Sequence, residues 1–164
     1  MLAMFKKVLV ANRGEIALRV IRACKEMGIE TVAIYSEADR NALHVSFADE
    51  AVCVGPASAR DSYLHIPNVI SAADVTGADA VHPGYGFLAE NIDFAKAVRA
   101  HDIEFIGPSA EHLRIFGDKL SAKAAAREAG VPLLPGSPDS LTSVEEAVTL
   151  ARDVGYPMLL KAAF

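Results

Sequence analysis

Apolar residues in this chain come as short unbroken runs separated by stretches of helical periodicity. The first run lies within residues 6–11, where Val8, Leu9 and Val10 follow one another without polar alternation, the mark of a strand covered on both faces. Further strands are predicted over 31–35, 51–54, 79–82 and 103–106. After the Asn12–Glu15 turn a helix is predicted to about Met27, with Gly28 as a natural stop. Its apolar stripe is Ile16, Val20, Ile21, Cys24 and Met27. Glu15, Arg19, Arg22 and Glu26 fall opposite, spaced for Glu15–Arg19 and Arg22–Glu26 pairs. A short helix is predicted over 41–47. Another spans 66–75, with Pro67 at its opening, Ile66, Val69, Ile70 and Ala73 on one face, and Gly77 at its end. A fourth covers about 90–100, where Phe87, Leu88, Phe94, Ala95 and Val98 recur at helical spacing behind Glu90 and Asn91.

Five strands alternating with helices specify a parallel, doubly wound α/β sheet. Right-handed crossovers bring Asn12–Gly14, Ser36–Glu37, Pro83–Gly86 and Gly107–Pro108 to one edge, where such sheets hold ligands. The segment VHPGYGFLAEN, residues 81–91, dominates that edge. It is a strand end, a loop shaped by one proline and two glycines, and a helix start.

The pattern changes after residue 108. Helices are predicted over 109–116 and 120–129, interrupted by Gly117-Asp118-Lys119 and closed by Gly130. A short strand over 131–134, a linker over 135–140, a helix over about 143–154 and a very apolar strand over 158–162 follow. That last strand has no partner in the sequence that remains. The chain is therefore expected to be a fragment: residues 1–108 form one domain and 109–164 the truncated start of a second.

Composition narrows the class. With 52% hydrophobic and 23% charged residues, the 164-residue chain is globular and long enough to bury a core. A net charge of −5 without a basic cluster argues against nucleic acid. Cys24 and Cys53 form no CxxC or Cys/His cluster, and no segment has membrane-spanning length, so a cytoplasmic protein is expected.

A dinucleotide site is excluded. Glu37 stands about where a ribose-binding acid would, but the Asn12-Arg13-Gly14-Glu15-Ile16-Ala17 turn carries one glycine where a pyrophosphate needs several. No Walker loop or nucleophile elbow is present, and His44, His65, His82, His101 and His112 are scattered. Lys161 is a lone cation in an apolar strand, and Lys119 follows Gly-Asp at a helix break. Either suits phosphate oxygens. Equally, the residues alone allow an edge-strand lysine reaching solvent and an ordinary surface lysine.

The segments ANRGEIALRVIRACKE (11–26), SEADRNALHVSFADEA (36–51), SYLHIP (62–67), HPGYGFLAEN (82–91), IGPSAEHLRIFGDK (106–119) and GYPMLLKAAF (155–164) resemble the biotin carboxylase family along the whole chain. Within it, ADEAVCVGPAS and SYLHIPNVISAA are most similar to the subunit of bacterial acetyl-CoA carboxylase. The resemblance implies a Rossmann-like pre-ATP-grasp domain followed by the beginning of an ATP-grasp domain. It implies ATP-dependent carboxylation of carrier-bound biotin by bicarbonate with Mg²⁺, the first step toward malonyl-CoA in fatty acid synthesis. The biotin carboxyl carrier protein and the carboxyltransferase are the implied partners. By the same resemblance Lys119 and Lys161 contact nucleotide phosphates, Tyr85 and Glu90 border the biotin and bicarbonate pocket, and Arg22 and Glu26 belong to a homodimer contact. The family's glycine-rich phosphate loop, metal-binding glutamates and catalytic arginines would follow Lys161, so the 164 residues alone are expected to be inactive.

Two other readings compete. One is the corresponding part of a pyruvate or propionyl-CoA carboxylase; the other is a non-catalytic α/β module for docking or dimer contact. A purine-biosynthesis carboxylase shares the first-domain architecture, and HPGYGFLAEN disfavours it.

Overall fold

The computed structural model describes residues 5–137 and 140–160, in two compact units, Met1–Ala110 and Glu111–Phe164. In the first, β1 (Lys7–Val10), β2 (Glu30–Ser36), β3 (Glu50–Gly55), β4 (Ala80–His82) and β5 (Glu104–Phe105) form one sheet ordered β3-β2-β1-β4-β5. Every pairing is parallel. Val8, Leu9 and Val10 are fully buried, as their unbroken apolar run requires of a central strand.

The crossovers run in opposite directions from β1, which places helices on both faces. On one, α1 (Gly14–Glu26) sets Ala17, Val20, Ile21 and Cys24 against Val8, Val10, Ala33 and Ala80, and α2 (Leu43–Phe47) packs beside it. On the other, α3 (Ile66–Thr76) lies against α4 (Ile92–Ala100), whose Phe94 meets Phe105 of β5 edge to face. Left-handed Gly77 ends α3, and the Asn91 side chain caps α4 by accepting from the Phe94 N–H.

Three expectations need correction. Met27 is 56% exposed, because α1 ends at Glu26 and the chain turns away before its stripe closes. Neither the Glu15–Arg19 nor the Arg22–Glu26 pair forms among the described residues; Arg22 instead lies over the Phe47 ring at 5.4 Å. Phe87 does not belong to the α4 repeat: it sits in the preceding loop at φ 42.

The second unit holds α5 (Ala110–Gly117), α6 (Lys119–Glu128) and α7 (Val144–Val154). Residues 131–134 are not a strand, since Pro132 removes a ladder donor and no described strand lies alongside; Leu134 is 88% exposed. Met158, Leu159 and Leu160 are also outside any strand, and the rest of that predicted element, with Lys161, lies outside the described residues. No described helix is long and apolar enough to cross a membrane.

Candidate functional site

Because the sheet is wholly parallel, all five strand C-termini reach one edge, and β1 and β4 flank the point where the connections diverge. Asn12 comes two residues after the end of β1 and is 3% exposed. Its Nδ2 donates to the carbonyls of Pro83 (2.8 Å) and Tyr85 (2.9 Å), and its Oδ1 accepts from the Arg13 N–H (2.9 Å). One buried amide thus joins the loop after β1 to the loop after β4. Gly84 is left-handed at φ 64, and a Cβ there would come within 2.8 Å of Asn12 Nδ2. The Gly84 N–H donates to His82 Nδ1 at 3.0 Å, which keeps that nitrogen unprotonated; burial lowers the His82 pKa in the same sense.

The other end of the loop is held by aromatic contact. Phe87, strained at positive φ, stacks on Tyr63 with ring centroids 5.2 Å apart and planes 4° from parallel. The Arg13 guanidinium lies 5.5 Å from the Tyr63 centroid and 5.7 Å from that of Phe87, and pairs with Asp39 Oδ2 at 3.1 Å. The same oxygen accepts from the Tyr63 hydroxyl (2.6 Å) and from Ser36 Oγ (3.1 Å), while the Tyr63 oxygen accepts from the Ser36 N–H (2.9 Å). Ser36 reaches this point where the β2–β3 register shifts by one residue.

Burial alone would raise the Asp39 carboxyl. Hydrogen bonds from Tyr63, Arg13 and Ser36 outweigh it and hold the pKa below the ordinary carboxylate value. Desolvation, followed by the bond to Asp39, pushes the Tyr63 phenol up to about 12. An acid whose folded pKa is raised stabilises the fold fully below its unfolded value of about 10, and that stability is lost as pH climbs toward the folded one. Between those limits the loss amounts to roughly 2–3 kcal/mol, because Tyr63 is almost fully buried. Urea titrations from pH 9 to 12 should show this fall, and Tyr63→Phe should remove it from the difference curve. An unchanged slope in the variant would mean that the phenol does not report on folding.

His44 completes the surroundings. It is 1% exposed, its Nε2 lies 3.2 Å from the Ile34 carbonyl, and its Nδ1 meets no partner among the described residues. Desolvation lowers its pKa, so the ring is neutral and Nε2 carries the proton.

A cleft of about 350 Å³ opens between Arg13–Ile16, at the start of α1, and Tyr85–Phe87. Tyr85 is 64% exposed beside it, and Glu90 is exposed further along the same loop. A groove of about 410 Å³ runs between β3 and α3, but Val52, Val54, Ala72 and Val75 make its wall apolar and Cys53 is its one ionisable group. The sheet edge therefore carries the chemistry.

In the second unit, Asp118 caps α6, accepting from Ser121 N–H (2.8 Å) and Ser121 Oγ (2.7 Å), and Lys119 is the first residue of that helix. Lys161 lies outside the described residues. Arg22 and Glu26 are exposed on α1. Sequence reasoning marked Tyr85, Glu90 and Lys119, and missed the fastening roles of Asn12, Asp39 and Tyr63. The available signal was an asparagine just past the end of a buried strand; nothing local joins Asp39 to Tyr63.

Residues 4–113 match the family model described as biotin carboxylase, N-terminal domain, and residues 118–164 that of the carbamoyl-phosphate synthase L chain, ATP binding domain. The chain belongs to the biotin carboxylase N-terminal domain family. It is 60% identical over 161 residues to a biotin carboxylase of Pseudomonas aeruginosa, covering 98% of this chain and 36% of that protein. The biotin carboxylase domain dimer of Hydrogenobacter thermophilus 2-oxoglutarate carboxylase, solved with MgADP, ADP and bicarbonate, superposes at a TM-score of 0.89 with 53% identity, over 98% of this chain and 35% of that one. A biotin carboxylase from Campylobacter jejuni in a β-γ-ATP complex gives 0.87 and 49%, over 94% of this chain and 34% of that one. The chain thus spans about a third of the length of these relatives.

Proposed function

We propose that this chain is the N-terminal part of a biotin carboxylase, which carboxylates biotin with bicarbonate at the expense of ATP. The observation that carries the reading is the 83–87 loop, fastened at the switch point of the sheet with Tyr85 left open to solvent. Residues 1–108 serve as the pre-ATP-grasp domain and 109–164 as the start of the ATP-grasp domain. Tyr85 and Glu90 border the biotin and bicarbonate pocket. Lys119 and Lys161 hold nucleotide phosphate. Lys119 stands in the first turn of α6, where its ammonium and the positive end of the helix dipole both favour an anion. ATP supplies the activating phosphoryl group when bound. Mg²⁺ would be held by one or two carboxylates together with the nucleotide phosphates; the described residues offer no group of three or more His, Cys, Asp or Glu suited to a metal.

Carrier protein, carboxyltransferase and a cytoplasmic site of fatty acid synthesis complete the reading. A relative from a 2-oxoglutarate carboxylase at 53% identity fits the family equally well, so the acyl acceptor rests on the motifs alone. Self-association through Arg22 and Glu26 is part of the same proposal. Sedimentation of the Arg22→Glu variant should show more monomer, and a dimer of unchanged strength would remove this face from the contact. For the activity, the protein as encoded should release phosphate from ATP only when biotin and bicarbonate are both present. Release that ignores biotin would defeat the assignment.

A further inference from the structure

The loop that presents Tyr85 is shaped by contacts that use no substrate. Asn12 holds its first half through two carbonyls, and Phe87 at its far end occupies a backbone conformation that a phenylalanine rarely adopts unaided. What holds Phe87 there is one flat cation and one ring. The Arg13 guanidinium lies near both aromatic faces while its Nη1 is tied to Asp39, and Asp39 is itself tied to Tyr63 and Ser36. Arg13 immediately precedes α1 and its N–H is bound to Asn12 Oδ1, so the two fasteners are neighbours in the chain and act on opposite ends of one loop.

Resting on the assignment of this edge to the biotin pocket, we propose that Arg13 is a positioning residue for the biotin-binding loop: its planar guanidinium, seated by Asp39 against Tyr63 and Phe87, sets the shape of residues 83–87 before the acceptor arrives. A loop already in its bound shape loses little entropy on binding, so the benefit appears in acceptor affinity. Charge alone does not fill this role. Lysine keeps the cation and can reach the Asp39 carboxylate, but it has no flat face to lay against two rings. The Arg13 side chain is 47% exposed, so its replacement should leave the core intact.

The test compares Arg13→Lys with Arg13→Met by two independent readouts. The first is amide exchange on the 164-residue chain, read at the Ala89 N–H, bonded to the Gly86 carbonyl, and the Asn91 N–H, bonded to the Leu88 carbonyl. Both variants should exchange there roughly tenfold faster, with β1 and β2 amides unchanged. The second is steady-state kinetics of the protein as encoded. Both variants should raise the KM for free biotin roughly three- to tenfold, leaving the KM for ATP and kcat near the parent values. Exchange that stays slow in Arg13→Met would overturn the proposal whatever the kinetics show. Exchange slow in Arg13→Lys alone would overturn the requirement for a planar group. Fast exchange with an unchanged biotin KM would overturn the link from loop shape to acceptor binding. If the parent protein itself ignores biotin, the assignment of the edge fails, and with it the claim about biotin; the exchange result still decides whether Arg13 shapes the loop.

Discussion

Gly84→Ala is expected to be among the most damaging single-methyl changes in this chain. Two costs combine. The backbone at φ 64 is left-handed, where a residue with a Cβ loses about 1–2 kcal/mol. The new methyl would also stand 2.8 Å from Asn12 Nδ2 and 3.1 Å from its Cβ, and those belong to a buried side chain that would have to give way. If Asn12 swings aside it abandons the carbonyls of Pro83 and Tyr85, and a buried polar group left unmatched costs about 1–3 kcal/mol. A loss of roughly 2–4 kcal/mol follows, which for a unit of this size lowers the Tm by roughly 10–20 °C. Gly86→Ala is the informative control. It has the same left-handed φ, 66, with nothing within 4 Å of the added methyl, so it should lose only the backbone share. Equal melting temperatures for the two variants would show that the Asn12 clamp contributes nothing measurable.

The second large effect is expected at Lys119, in turnover and not in stability. The residue opens α6, where Asp118 has already capped the helix through Ser121, so no structural task of the cap depends on the lysine. If Lys119 meets nucleotide phosphate, its charge-assisted hydrogen bond is worth about 1.5–3 kcal/mol. Lys119→Gln should then weaken ATP use roughly ten- to a hundredfold, since about 1.4 kcal/mol is a factor of ten. The melting temperature should stay close to the parent value, because the Asp118–Ser121 cap remains in place. Asp118→Ala should do the reverse, lowering helix stability by removing the cap on Ser121. Unchanged ATP kinetics in Lys119→Gln would return the residue to the protein surface.

The sheet was legible because its signals are local. Val8-Leu9-Val10 cannot alternate and so must be central; Gly28 and Gly77 mark where helices stop; Asn91 caps the helix that its position suggested. Crossover handedness then brought Asn12, Ser36 and Pro83 to one edge without any knowledge of side-chain contacts. The site's internal fastening was not legible for the opposite reason. Asp39 and Tyr63 are 24 residues apart and meet at 2.6 Å, and Ser36 joins them only because the β2–β3 register shifts there. Phe87 carried the helical spacing of α4 yet lies outside it, held by a ring stack that periodicity cannot express. Residues 131–134 misled in the other direction. Their composition is that of a strand, but a strand exists only where a neighbour offers hydrogen bonds, and Pro132 withholds one from any such neighbour.

The central claim is that this chain contributes the acceptor side of a biotin carboxylase. Transfer of label from bicarbonate to free biotin by the protein as encoded, with MgATP, tests it most directly. The account predicts acid-labile label on biotin that requires ATP and falls when Tyr85 is replaced by alanine. Label on biotin that forms without ATP, no label at all, or label indifferent to the Tyr85→Ala change would contradict it.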